Sequence, residues 1–141
     1  MIRWFEKHSK FSWLITLAIA VTIFYVSSLT FAPGKPGSSL KAILYHLLVF
    51  FVLAIFLLIS LIKRKNIKLL PIVLVMLILY AISDELHQFF VPGRACTLED
   101  IFTDTAGIIF AFLTYSIRIL TTPKRRIKHK EPLSKNNPDK K

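Results

Sequence analysis

The 141-residue chain is poor in cysteine, glycine and acid: one Cys, four Gly, and eight Asp and Glu against nineteen Lys and Arg. A single cysteine, Cys96, excludes an internal disulfide and any multi-thiolate metal cluster. It is read as incidental, with pairing between chains as its one alternative. The scarce glycines form no phosphate-cradling loop, and no G-x-S-x-G elbow occurs. With 54% of residues hydrophobic, polar side chains are too few to cover a water-soluble globule of this size. A soluble fold is thereby excluded, and a membrane protein is expected.

What is present is long apolar runs. Four stretches, residues 11–31, 40–62, 69–90 and 101–120, each approach the roughly 20 residues that a membrane helix needs. Strands are excluded, because four spans cannot close a barrel and lipid does not tolerate open sheet edges. The fold class is therefore all-α, a polytopic four-helix transmembrane bundle. The basic leader (Arg3, Lys7, Lys10) suggests a signal peptide, but the run after it is too long and no small-x-small cleavage site follows. The first segment is read as a retained helix. The organisation is a leader over 1–10, a bundle over 11–120 and a tail over 121–141.

In a soluble protein a net charge of +11 would point to nucleic acid. Its placement points to a bilayer instead. Fifteen basic residues lie before the first span, in the Lys63 to Lys68 loop and after Thr122, whereas the other two connections carry only Lys35, Lys41 and Arg94. The positive-inside rule then places both termini in the cytoplasm and the first and third connections outside, in a cell membrane. The tail, rich in Lys and Arg and interrupted by Pro132 and Pro138, cannot build a core and is expected to be disordered. Its partner is anionic lipid rather than nucleic acid.

Acid is concentrated where it is least expected. Asp84, Glu85, Glu99, Asp100 and Asp104 fall within twenty-one residues, in or at the rim of apolar spans. Ionisable groups there are costly and mark function. With this topology His46, Asp84, Glu85 and Asp104 all lie about 8 to 9 Å below the outer rim, within reach of Ser27 and Ser28, while the inner halves of the spans are almost wholly apolar. Asp84 and Gln88 share a helix face, as do Asp100, Asp104 and Gly107, and Lys41 with Tyr45. Facing stripes would enclose a pocket roofed by Pro92-Gly93-Arg94, with Arg94 as the counter-ion whose planar fork holds carboxylate or phosphate. The plainer alternative is polar glue between helices, worth about 0.6 kcal/mol per hydrogen bond on average. Several buried carboxyls cost more than that returns, so a site is favoured. Ser27 and Ser28 also suit helix packing, His87 suits the water interface, and Glu99 suits a helix cap.

These residues resemble the VanZ-like family of small multi-spanning membrane proteins. The resemblance rests on Phe24-Tyr25-Val26-Ser27-Ser28, on Lys41 with His46, on Asp84-Glu85-Leu86-His87-Gln88 continuing to Phe90-Val91-Pro92-Gly93-Arg94, and on Asp100 followed by Gly107. It covers roughly residues 20 to 115. The family pattern usually has Asn four residues after the Asp of the last helix and a second Gly after the first. This chain has Asp104 and Phe110-Ala111 there, which makes its pocket more acidic. The family is named for a protein that raises tolerance to the glycopeptide teicoplanin, so the resemblance implies a role in the bacterial cell envelope. It implies no settled reaction or cofactor.

Three functions compete. One is an outward-facing site that binds or acts on an envelope lipid or glycan, with Arg94, Gln88, Asp100, Asp104, Lys41, Ser27 and Ser28 holding the ligand. Another is a membrane enzyme, with Asp84, Glu85 and His46 as catalytic residues in acid–base chemistry on a lipid-linked substrate. The last is a metal site built on His46 and carboxylates; no His-x-x-x-His or Glu-x-x-His pair appears, and no metal is expected. A transporter is disfavoured, because four helices leave little room for two alternating halves.

Overall fold

The computed structural model describes residues 2–30, 40–63, 66–94 and 97–122. Cys96, Lys35 and the basic tail, to which the charge pattern assigns roles, lie outside the described residues. The described elements run α1 (Ile2–Lys7), α2 (Ser9–Ser27), α3 (Leu40–Ile62), a 3-10 turn (Ile67–Leu69), α4 (Leu70–Phe89) and α5 (Leu98–Thr121), with no strand among them. Four helices are long and apolar enough to cross a membrane. The protein is a multi-pass membrane protein.

Helix α3 has the bounds expected from its long apolar run. It stops at Lys63, whose φ of 45° is the left-handed conformation that ends helices, and the Asn66 N–H returns to the Ile62 carbonyl at 2.9 Å. Pro71 occupies the first turn of α4, where its missing N–H costs nothing. The first span departs from expectation: α2 ends at Ser27 rather than Phe31. Its last turn tightens, with Ser28 N–H reaching both Phe24 and Tyr25 carbonyls and Leu29 N–H reaching Val26, the i to i−3 pattern of a closing helix. The leader carries a short helix of its own. Residues 2–7 form α1, whose Phe5 ring meets Phe56 of α3 edge-on at 5.4 Å and whose Glu6 binds Arg118 of α5 at 3.0 Å.

Helix α3 is central. Phe50, Leu53, Ala54, Leu57, Leu58, Ile59 and Ile62 are buried against Ile23, Val73, Leu77, Ile108, Ala111 and Tyr115 of the other spans. Its broadest interface is with α5, and Gly107 makes it possible. A methyl group at position 107 would collide with the Leu47 carbonyl oxygen and lie 3.2 Å from the Phe51 nitrogen, so only glycine lets the two backbones approach this closely. The outside is greasy: Leu14, Leu17, Val21, Leu48, Leu79, Phe102, Leu113 and Leu120 are exposed. So large an exposed apolar surface is one that lipid accepts and water does not.

The half of the bundle away from His46 is less uniformly apolar than the sequence reading expects. There Thr16 of α2 meets Ser60 of α3 at 3.4 Å, and at mid-span the Tyr80 hydroxyl of α4 donates to the Ala20 carbonyl of α2 at 2.7 Å. Each is an isolated interhelical bond of the glue type.

Candidate functional site

At the other end of the bundle the polar side chains converge from all four spans. Because α3 and α5 enter the bundle where α2 and α4 leave it, His46 near the start of α3 and Asp104 near the start of α5 share a level with Ser27 and with Asp84, Glu85 and Gln88 at the ends of α2 and α4. All six are buried, Glu85 and Asp104 completely.

Two arrangements make up the layer. In the first, Asp84 accepts on both oxygens, from the Ser27 hydroxyl at 2.7 Å and from the Gln88 amide at 3.0 Å. The same Gln88 amide donates to Glu85 Oε1 at 3.2 Å, and the Thr97 N–H donates to Glu85 Oε2 at 3.2 Å. The i, i+3 and i, i+4 spacing of Glu85, Gln88 and Asp84 lets one amide serve two carboxylates. In the second, His46 Nδ1 lies 2.9 Å from Asp104 Oδ1. Asp104 Oδ2 is buried and has no hydrogen-bond partner among the described residues. Glu85 joins the two arrangements: a ring nitrogen of His46, a carboxylate oxygen of Glu85 and one of Asp104 all lie within 4.8 Å of one another.

A tight turn follows α4 directly after this layer. Arg94 N–H donates to the Val91 carbonyl at 3.1 Å across Pro92 and Gly93, and Gly93 has a φ of 81°. Proline second and a positive-φ glycine third are the residues of a type II turn. Arg94 is half-buried at its end, while Lys41 and Tyr45 are exposed at the start of α3. The Tyr45 ring stands edge-on to His46 at 5.7 Å.

The remaining candidates separate from the layer. Asp100 takes part in a cap: the Thr97 hydroxyl donates to Asp100 Oδ2 at 2.7 Å and accepts from the Asp100 N–H at 3.1 Å. The cap residue of α5 is thus Thr97 rather than Glu99, which is exposed in the first turn. The Thr97 hydroxyl thereby satisfies one of the free backbone donors of the helix start, the Asp100 N–H. Ser28 points away from its neighbour Ser27, donating to the Phe24 carbonyl and lying 3.0 Å from His87 Nε2. His87 stacks on Phe24 with ring centres 4.4 Å apart, outside the His46 group. Thr97 is the site residue that the sequence reading missed; a Thr three residues before Asp100 and just ahead of an apolar run is its detectable signal.

Two apolar grooves flank the bundle, neither of them the polar layer. The larger, about 410 Å³, runs between α2 and α3 from Ile15 to Thr22 and from Val52 to Tyr45, ending one residue from His46. The other, about 220 Å³, lies between α2 and α4 around Thr16 and Tyr80.

A membrane-embedded helical bundle with carboxylates, an imidazole and an amide sealed into one end defines a class of small polytopic membrane protein with an intramembrane polar site. The profile of the VanZ/LLP1 family matches residues 3–120, and the chain belongs to that family. Neither a curated protein nor a solved structure matches it.

Proposed function

We propose that the protein binds a lipid-linked glycan of the cell envelope at the outer face of the cell membrane, with both termini cytoplasmic. The observation that carries this reading is the convergence of His46, Asp84, Glu85, Gln88 and Asp104 from three spans into one buried layer, far more polarity than helix packing needs. Ionised carboxylates are acceptors and suit the hydroxyl and amine donors of a glycan. At the rim, Arg94 and Lys41 suit a phosphate linking glycan to lipid. The groove of about 410 Å³ that ends at Tyr45 suits the chain of such a lipid. Asp100 and Ser28, occupied in local hydrogen bonds, contribute less. Through that ligand the protein would alter tolerance to glycopeptides such as teicoplanin.

The test is lipid retention by purified protein in nanodiscs, offered a polyprenyl pyrophosphate carrying a disaccharide, the bare polyprenyl phosphate and phosphatidylglycerol. The glycan-bearing lipid should be retained at least tenfold better than phosphatidylglycerol, and Asp84→Asn or Glu85→Gln should remove that preference. Equal retention of all three lipids would refute it.

A second reading, an enzyme, draws support from the His46–Asp104 contact beside Glu85. A carboxylate that orients an imidazole next to a second carboxyl is the arrangement of general acid–base chemistry. Release of the glycan or phosphate from the retained lipid during incubation would select it.

A further inference from the structure

We propose that His46, Glu85 and Asp104 form a binding site for a divalent transition-metal ion of the zinc or manganese type. The proposal uses side chains of the ligand site above but none of its lipid chemistry.

The donors come from α3, α4 and α5, all buried, with their ligand atoms within 4.8 Å of one another. The 2.9 Å between His46 Nδ1 and Asp104 Oδ1 equals the spacing of two adjacent ligands at right angles on one ion with bonds of about 2.1 Å. Glu85 presents a carboxylate oxygen within 4.8 Å of both. A second observation asks for a cation. Asp104 Oδ2 lies in the interior without a hydrogen-bond partner among the described residues, and a buried carboxylate oxygen is normally paired. Asp84, by contrast, has a donor on each oxygen, so it belongs to the frame around the site.

Chemistry narrows the ion. One imidazole nitrogen and two carboxylates suit zinc or manganese, whereas calcium prefers six to eight oxygens. Two carboxylates also match a doubly charged ion, so the loaded site carries no net charge into the bilayer interior. Glu85 is oriented as a ligand should be, held by the Gln88 amide on one oxygen and the Thr97 N–H on the other. Three protein ligands leave at least one coordination position for water or for a ligand oxygen, as in reactive rather than purely structural sites.

The experiment uses the full-length protein in detergent, stripped with a chelator and titrated with Co²⁺ and then Zn²⁺. One ion per chain is expected, with Co²⁺ giving the intense visible bands of four- or five-coordination, bleached as Zn²⁺ displaces it. Glu85→Gln and Asp104→Asn should each weaken binding at least tenfold, while Glu99→Gln, exposed on the first turn of α5, should not. Fewer than one ion per five chains, or binding that both ligand variants leave unchanged, overturns the proposal. Should the variants fail to fold, the wild-type stoichiometry decides: fewer than one ion per five chains after removal of free Co²⁺ rejects the site. A negative result here combined with glycan-lipid retention intact would dismiss the metal and leave the proposed function standing.

Discussion

Gly107 of α5 packs against the backbone of Leu47 in α3, and this approach brings Asp104, one turn earlier in α5, within 2.9 Å of His46, the residue before Leu47. The close contact of two backbones thus positions the two side chains. The atoms a methyl at 107 would strike are main-chain atoms of α3, which cannot swing aside as a side-chain end can. Gly107→Ala should therefore separate the helices and cost about 1 to 3 kcal/mol, the range for overpacking a tight interface. A thermal melt in detergent reads the cost as a lower Tm. A His46 imidazole resonance that no longer responds to Asp104→Asn would show that the pair has parted.

Ser27 and Asp84 offer a test of what the polar layer costs the fold. Ser27→Ala removes the donor on Asp84 Oδ1 and leaves a buried carboxylate oxygen bare, a loss of about 1 to 3 kcal/mol. Asp84→Asn removes the charge instead. Its amide can donate to the Ser27 hydroxyl, which turns to accept, while its carbonyl keeps the Gln88 bond. The ordering expected in paired melts is a clear fall in Tm for Ser27→Ala and a smaller change for Asp84→Asn. The reverse ordering would mean that the charge of Asp84, rather than its hydrogen bonding, stabilises the bundle.

How much of this could be read without a structure depended on the period of each pattern. The span over 40–62 was legible to the residue, because Lys41, His46 and Ser60 are too few to break its apolar run before the basic cluster that starts at Lys63. The stripe of Asp84 and Gln88, and that of Asp104 and Gly107, were legible because residues three and four apart share a helix face. Three things were not. Which faces meet is decided by a long-range approach, Gly107 on Leu47, that leaves no local trace. Ser27 and Ser28 look equivalent in sequence, yet about 100° of helical rotation puts one on Asp84 and the other beside His87. Asp100 carried the same apparent weight as Asp104, but the Thr97 hydroxyl takes it into a cap. The short α1 escaped because Phe5 and Glu6 act through tertiary partners, Phe56 and Arg118.

The side of the membrane that the polar layer faces decides whether its ligand is an envelope component at all. The layer sits at the end of the bundle where α2 and α4 finish and α3 and α5 begin. The basic residues cluster on the connections and termini of the other end, fifteen against Lys35, Lys41 and Arg94. Each Lys or Arg near the cytoplasmic leaflet gains about 1 kcal/mol from anionic lipid, which biases insertion strongly in one direction. Cys96, on the connection between α4 and α5, is the natural probe because it is the chain's only thiol. In intact cells a membrane-impermeant maleimide should label Cys96, and a reporter enzyme fused after Lys141 should be active only in the cytoplasm. If Cys96 is silent in intact cells, labels after permeabilisation, and the reporter is found outside, the bundle is inverted. The layer would then open to the cytoplasm, and the carboxylates would have to be matched to a cytoplasmic ligand instead of an envelope glycan.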